Sequence, residues 1–501
     1  MHSFADNEKH SFRILPPRRG AAFVLALGAY FLLHLLIRIN VSDFLDLDEA
    51  EAVIASRELR AGYGSQPPLY NWLQWLMFQL FGLNLFALSA LKNLLLFATY
   101  LSMFGLAKPL IGTRGAMTAS ASLLLFPQIG WESQRDLTHS VLLTTLACAT
   151  LWCYFALLRK PVAAYYALFG LLIGLGLQAK YNFAVFLAGL MSASLLVKEH
   201  RQTLWNRRTG ISAAIAFMTL LPHGLWLLNN LGSAVSGTLD KMAEGTQQAG
   251  FVRNVATGMA SMVTATFSFV ALAAMIYGLA GRDQWKPVEF RWRDPHARFF
   301  IALYAGFFLV LTCVLLSSEV GKFKDRWLQP LLFSLPLACF LWWPALAQGA
   351  VYRRILAAVA VVAMMILLGI PLRAYLGPAF NRNVQSLHPY SELAEKLARR
   401  FPNVPIITDE KLIAGNLYFQ RPALRTLLSE DLLKRPGTLP EEALIVTYGS
   451  DGNAESDLLE RFLATYPGCM VQEQGQLNLQ LRGSSAKSVD FYFILITFRK
   501  P

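Results

Sequence analysis

Charge is what this sequence has least of. Only 15% of its 501 residues are Asp, Glu, Lys or Arg, where a soluble protein carries about a quarter. Cysteine is also scarce, at five. Cys148, Cys153, Cys313 and Cys339 fall in apolar runs and Cys469 stands alone, so neither a disulfide framework nor a zinc site can be assembled from them. There is no Walker or Rossmann glycine motif to bind a nucleotide, no internal repeat and no low-complexity linker. These absences set aside a soluble globular class, a disulfide scaffold and nucleotide-driven chemistry.

What the chain has is hydrophobic length. Apolar residues make up 55% of the sequence, and they come in blocks able to cross a hydrocarbon core of about 30 Å. The blocks are 21–39, 85–107, 115–130, 137–158, 162–178, 183–197, 210–230, 255–280, 299–316, 327–347 and 355–372. The first is long, is followed by acidic residues and lacks a small-residue cleavage site, so it reads as a retained first helix. The fold expected is a polytopic α-helical membrane protein of about eleven spans. Its segments are a short N-terminus at 1–20, a membrane domain at 21–372 and a tail at 373–501.

The net charge of +13 does not mark a nucleic-acid partner, because its distribution is topological. Basic clusters sit at Lys9, Arg13, Arg18 and Arg19, at Lys108 and Arg114, at Arg159 and Lys160, and at Lys198, Arg201, Arg207 and Arg208. Further ones sit at Arg282 to Arg298 and at Arg353 and Arg354. With eleven spans, all fall on the N-terminal side of the membrane, as the excess of Lys and Arg in cytoplasmic loops requires. The N-terminus is therefore expected inside, and the tail outside.

Three features share the outer side: loop 40–84, loop 231–254 and the tail. The tail reads as a small α/β domain. Strands are expected at Val404–Thr408, Ala443–Thr447, Leu477–Leu481 and Val489–Phe498, and helices at Ser391–Phe401, Glu410–Gln420 and Ala454–Tyr466. The last strand is very apolar but too short to span.

Loop 40–84 holds six acids, Asp43, Asp46, Asp48, Glu49, Glu51 and Glu58, against Arg57 and Arg60. Asp48 to Arg60 reads as a short surface helix whose charges suit the helix dipole. Asn71 to Leu83 reads as an amphipathic helix lying in the membrane interface. Other charges gather at span ends on the same face: Glu132, Arg135 and Asp136, then Lys180, then Glu319, Lys322, Lys324, Asp325 and Arg326. Short loops need some polar residues, and any one of these can be ordinary. Together they place carboxylates and cations on the face opposite the basic loops. Such a face suits a lipid phosphate held by Lys and Arg, with a carboxylate as general base.

These residues also carry a family resemblance. Asp48-Glu49-Ala50-Glu51-Ala52, Gln66-Pro67-Pro68-Leu69-Tyr70-Asn71-Trp72 and Phe81-Gly82 resemble the opening of the dolichyl-phosphate-mannose protein mannosyltransferase-like superfamily, which includes the aminoarabinose transferases of lipid A. Arg135-Asp136, Gly174 to Tyr181 and Lys324 to Pro330 resemble its later blocks. The resemblance covers spans one to ten in order.

It implies a GT-C fold and an inverting glycosyltransferase that uses a polyprenyl-phosphate sugar on the periplasmic face of the bacterial inner membrane. It further implies Asp48 as the catalytic carboxylate, with Glu49 beside it and Asp136 as the acidic residue of the second external loop. Lys180, Lys324, Arg326 and Arg135 become candidates for the donor's lipid phosphate. Gln66 departs from the Lys usual in aminoarabinose transferases, which leaves room for another sugar, such as the galacturonic acid used by some relatives. The expected acceptor is lipopolysaccharide core, lipid A or another envelope glycan, with a protein acceptor as the alternative. No cofactor is required; the external carboxylates could hold a divalent cation, though no ligand spacing demands one. A transporter or flippase of lipid-linked sugars, and a scaffold displaying the tail domain, are the competing classes.

Overall fold

A computed structural model describes residues 18–232, 250–284, 291, 293–318, 322–376, 387–433, 440–448, 453–466, 468–482 and 487–498. Lys9, Arg13, Lys286, Glu319 and most of loop 231–254 lie outside the described residues.

Every apolar block contains helix. The first is α1 (Arg18–Val41). Loop 40–84 holds two helices, α2 (Leu47–Ala55) and α3 (Leu69–Phe81). Block two and the first half of block three lie on one helical run, α4 (Leu85–Ala121), which breaks at Gly112; the rest of block three is irregular, with a 3-10 turn at Ser122–Leu125. The backbone at Gly112 has φ +72°, a left-handed conformation that glycine adopts without steric cost. Beyond it come α5 (His139–Arg159), α6 (Ala163–Ala179), α7 (Phe183–Leu196), α8 (Thr209–Asn229), α9 (Phe251–Gly281) and α10 (Pro295–Ser318). The tenth block is broken at prolines into short pieces that include α11 (Leu335–Trp342), and α12 (Gly349–Leu376) ends the series.

Seven of the described helices are individually long and apolar enough to cross a membrane. An eighth span results if α7 is joined to the helix Lys198–Leu204, which meets it at a bend of 119°. The helix at 163–179 and the broken run 329–342 are shorter.

The helices are inside-out relative to those of a soluble protein. On α8 the buried residues include Ser212 and His223, while Phe217, Met218, Leu225 and Leu228 are exposed. On α3 the polar Asn71 and Gln74 are buried, and Leu76, Leu80 and Phe81 face outward. Apolar side chains gain nothing by hiding from lipid, so the polar ones turn inward. The chain is a multi-pass membrane protein, and α3 has the inverted sidedness suited to apolar surroundings.

The tail forms a five-stranded sheet in the order β2-β1-β3-β5-β4, built from β1 (Ile406–Thr408), β2 (Thr426–Leu428), β3 (Glu442–Tyr448), β4 (Cys469–Gln480) and β5 (Ser488–Phe498). β1 pairs in parallel with β2 and β3, and β5 lies antiparallel between β3 and β4. The apolar run of β5 is thus a central strand, with Phe491, Phe493, Ile494 and Ile496 buried. Helices α13 (Tyr390–Arg400), α14 (Lys411–Gln420) and α15 (Asn453–Thr465) match the sequence expectation to within a residue or two. The three-residue β2 is too short to show alternation, and the first half of β4, Cys469 to Gln474, runs three apolar then three polar residues without alternating; neither was legible.

The tail is not merely appended. Phe44, Leu45, Ala50 and Val53 of loop 40–84 share one apolar core with Tyr390, Leu393, Leu397, Ile413, Leu417 and Phe493. α14 lies so close to α2 that a Cβ on Gly415 would meet Ala50 Cβ at 2.5 Å. Asn416 seals the contact: its Oδ1 accepts from the Leu45 N–H at 2.9 Å and its Nδ2 donates to the Leu45 carbonyl at 3.0 Å. The tail domain therefore lies on the same side of the molecule as Asp48.

Candidate active site

The acidic helix α2 starts within a residue of the expected Asp48 but ends at Ala55 rather than Arg60, and it is packed under the tail, with Glu49, Ala50, Ala52 and Val53 buried, rather than lying at the surface. Asp46 is the N-cap, and its N–H donates to the Glu49 carboxylate at 3.4 Å. Glu49, three positions on, is held from both sides. Arg38 at the end of α1 donates to Oε2 at 2.7 Å, and Lys92 inside α4 donates to Oε1 at 2.9 Å. Glu49 and Lys92 side chains are each 3% exposed and Arg38 16%. Burial alone would raise the Glu49 carboxyl, but the two cations reverse that and hold it at about 2. Glu49 thus locks the loop to the first two membrane helices, and the two cations keep it ionised rather than ready to take up a proton.

Asp48 is turned to the other side of α2 and is half-buried. Its N–H donates to Asp136 Oδ1 at 3.1 Å, and its own Oδ2 accepts from the Thr138 N–H at 3.3 Å. Burial, followed by repulsion from Asp136 and Glu51, pushes the Asp48 carboxyl up to about 6, against the pull of Lys180 and Arg326. Four of the seven residues singled out from sequence, Asp48, Asp136, Lys180 and Arg326, are therefore electrostatic neighbours.

The three loops that carry Asp136, Lys180 and Arg326 are tied together. Lys180 donates to Ser140 Oγ at 2.9 Å. Gln128 donates to Asp325 at 2.7 Å, Gln329 to Ser133 Oγ at 3.0 Å and Asn182 to the Trp327 carbonyl at 3.1 Å. Gln128 to Glu132 form a π-helical turn, a wide turn frequent at functional sites.

Arg135 stands apart from the Lys180 and Arg326 group. It pairs with Glu132 at 2.7 Å and lines a separate cavity with Asp46, Arg373, His388 and Tyr448. Lys324 is half-buried, one residue before Asp325 in the same loop. Sequence reasoning missed Arg38, Lys92, Asp46 and Arg373 as site residues. Lys92 was detectable as an ionisable group inside an apolar run, which is expensive and so purposeful. Among the described residues no group of three or more His, Cys, Asp and Glu side chains is arranged to hold a metal ion.

Residues 65–226 match the family described as dolichyl-phosphate-mannose-protein mannosyltransferase. The lipopolysaccharide core galacturonosyltransferase RgtB of Rhizobium johnstonii is 37% identical over 436 residues, 85% of this chain and 85% of that protein. Its counterpart RgtA, from the same organism, is 32% identical over 472 residues, 91% of this chain and 93% of that one. Among solved structures, ArnT from Cupriavidus metallidurans in the apo state matches with a TM-score of 0.57 at 15% identity, over 95% of this chain and 98% of that one. ArnT bound to undecaprenyl phosphate gives the same TM-score at 14% identity and the same coverage.

A helical membrane body with a small sheet domain packed on its first acidic loop is the GT-C architecture that ArnT shares. Within that class, the chain belongs to the glycosyltransferase family, of protein mannosyltransferase and ArnT type, that contains RgtA and RgtB.

Proposed function

We propose that this glycosyltransferase moves a sugar from a polyprenyl-phosphate donor to lipopolysaccharide core or lipid A, with inversion at the anomeric carbon. The observation that carries the reading is the Asp48–Asp136 pair set beside Lys180 and Arg326. Asp48 acts as general base: it takes the proton of an acceptor hydroxyl as that oxygen bonds to the anomeric carbon. The bond from that carbon to the phosphate oxygen breaks, and polyprenyl phosphate leaves with the electron pair. Lys180 and Arg326, with Lys324 nearby, stabilise the charge that develops on the leaving phosphate. Asp136 positions Asp48 through its N–H. Glu49 is a positioning residue, because Arg38 and Lys92 each hold one of its oxygens and keep it ionised.

The relatives' names favour galacturonic acid as the sugar and lipopolysaccharide as the acceptor, and a neighbour crystallised with undecaprenyl phosphate favours a donor of that lipid class. Eleven spans follow if the two arms of α4 and the shorter helices at 163–179, 183–196 and 329–342 each cross the bilayer. With basic loops inside, that count puts the site and the tail on the periplasmic face of the inner membrane. Membership in a glycosyltransferase family leaves the flippase and scaffold readings without a feature of their own to explain. Mass spectrometry of envelope lipids and glycans, with and without the protein, tests the proposal. Loss of one hexuronic acid from core or lipid A is expected, and an unchanged spectrum would refute it.

A further inference from the structure

A cavity of about 280 Å³ is lined by none of Asp48, Asp136, Lys180 and Arg326, but two residues of its wall, Asp46 and Arg135, are electrostatic neighbours of Asp136. Four separate parts of the chain wall it. The end of α1 and loop 40–84 contribute Arg38 and Asp46, the second external loop contributes Trp131 and Arg135, the end of α12 contributes Arg373, and the tail domain contributes His388 and Tyr448. Three arginines thus face one carboxylate.

Their commitments differ. Arg38 is occupied by Glu49 and by the carbonyls of Ser42 and Phe44. Arg135 uses its Nε and Nη2 on Glu132, two of the nitrogens on a fork that carries five N–H donors. Arg373 is exposed and has no ion-pair partner among the described residues. His388 is only 6% exposed, yet its Nδ1 is buried without a hydrogen-bond partner among the described residues. A buried ring nitrogen without a partner costs free energy.

The electrostatic neighbourhoods divide in two. Asp48 feels Asp136, Glu51, Lys180 and Arg326. Arg135 feels Glu132, Asp46 and Asp136. Asp136 is common to both. Inversion needs the incoming hydroxyl and the departing phosphate on opposite faces of the anomeric carbon, so donor phosphate and acceptor need different cationic pockets that share the reacting carboxylates. The apolar wall residues Ile37, Val41 and Ile370 come from helix ends, which suits an acceptor presented from a membrane surface.

We propose that this cavity is the acceptor subsite, and that it takes the anionic group, carboxylate or phosphate, of an acidic saccharide, clamped by Arg373 and Arg135 against the His388 ring. The proposal rests on the glycosyl-transfer reading and moves Arg135 from the donor lipid phosphate to the acceptor. Arginine is the side chain for that task because its planar fork binds either group with two parallel hydrogen bonds.

Binding titrations on the full-length protein in detergent micelles test it without needing turnover. The probes are lipopolysaccharide core oligosaccharide intact, carboxyl-reduced and dephosphorylated, and undecaprenyl phosphate. Arg373→Gln, an exposed position that tolerates substitution, is expected to weaken the intact oligosaccharide about tenfold, or about 1.4 kcal/mol, and to leave undecaprenyl phosphate within twofold. Arg373→Lys restores part of the loss, and His388→Phe weakens the oligosaccharide as well. If carboxyl reduction erases the difference between wild type and Arg373→Gln, the group is a carboxylate; if dephosphorylation erases it, a phosphate. Unchanged oligosaccharide affinity in both variants, or a loss confined to undecaprenyl phosphate, would overturn the proposal. Sugar transfer measured on the same wild-type sample separates the two readings. Binding lost in Arg373→Gln with no transfer by the wild type sinks the transfer reading alone, whereas transfer with unaltered binding sinks the subsite alone.

Discussion

Asp48 gives its main-chain N–H to the carboxylate of Asp136, 88 residues further along the chain, at 3.1 Å. The contact joins the first acidic loop to the second and leaves the Asp48 side chain to do something else. Asp48→Asn keeps that N–H and the shape of the side chain while removing the base. It is expected to lower transfer by at least a hundredfold, with the thermal unfolding midpoint of the detergent-solubilised protein within a few degrees of wild type. Near-normal turnover in this variant would show that another group takes the proton.

The same pair sets the pH profile. Burial and the Asp136 charge hold Asp48 at about 6, and a general base works when deprotonated. The rate is therefore expected to rise with pH through about 6 and level off above it. Asp136→Asn removes a repelling charge and shifts that limb to lower pH; Lys180→Met removes an attracting one and shifts it to higher pH. Profiles of kcat/KM for the three proteins check the two opposite signs, and shifts in one direction for both variants would exclude Asp48 as the titrating group.

Glu49 is expected to behave differently from its neighbour. Glu49→Gln removes the carboxylate that both Arg38 and Lys92 pair with, and breaking a buried pair of this kind costs about 3–5 kcal/mol. Its carboxyl lies at about 2 in the folded protein against an ordinary 4.5. The stability it supplies is thus fully present above about 4.5 and is lost as pH falls toward 2. Unfolding in micelles between pH 7 and 3 should show wild type losing stability over the lower part of that range, and Glu49→Gln starting low and changing less.

Lys180 and Arg326 are the predicted grip on the donor. Replacing either with a neutral side chain should weaken undecaprenyl phosphate about tenfold or more, since charge-assisted contacts are lost. Isothermal titration of that lipid phosphate into each variant measures it, and affinities equal to wild type would move the donor phosphate elsewhere.

The tail domain is expected to be necessary for the site. Gly415→Val puts a side chain where Ala50 Cβ and the Ala50 carbonyl lie 2.5 and 2.6 Å from the new Cβ, and so drives α14 off α2. Deleting 373–501 strips the cover from Phe44, Leu45, Ala50 and Val53. Both changes should abolish transfer and open the 42–57 segment to limited proteolysis, while the membrane helices stay protected. A truncated protein that still transferred sugar would show that the shared core is dispensable.

The sequence on its own determined a membrane protein, the helices within each apolar block, the α/β character of the tail and the loops worth watching. Those properties follow from local composition and period, which neighbours in the chain carry. Asp48, Asp136, Lys180 and Arg326 were legible as a set because span ends on one side of a membrane are forced onto one face. Only the tertiary structure decided which partners each charge meets. Asp48 and Glu49 are adjacent and chemically alike, yet a helix turns successive side chains about 100° apart. That rotation turns one carboxylate to the Thr138 N–H and the other to Arg38 and Lys92, groups that only folding brings to it. Nor could a linear reading show that the tail completes the first loop's core, or that Arg135 stands with Arg373, more than two hundred residues away, around a second cavity. Such pairings depend on which helix ends and loops meet, and that is settled by packing rather than by pattern.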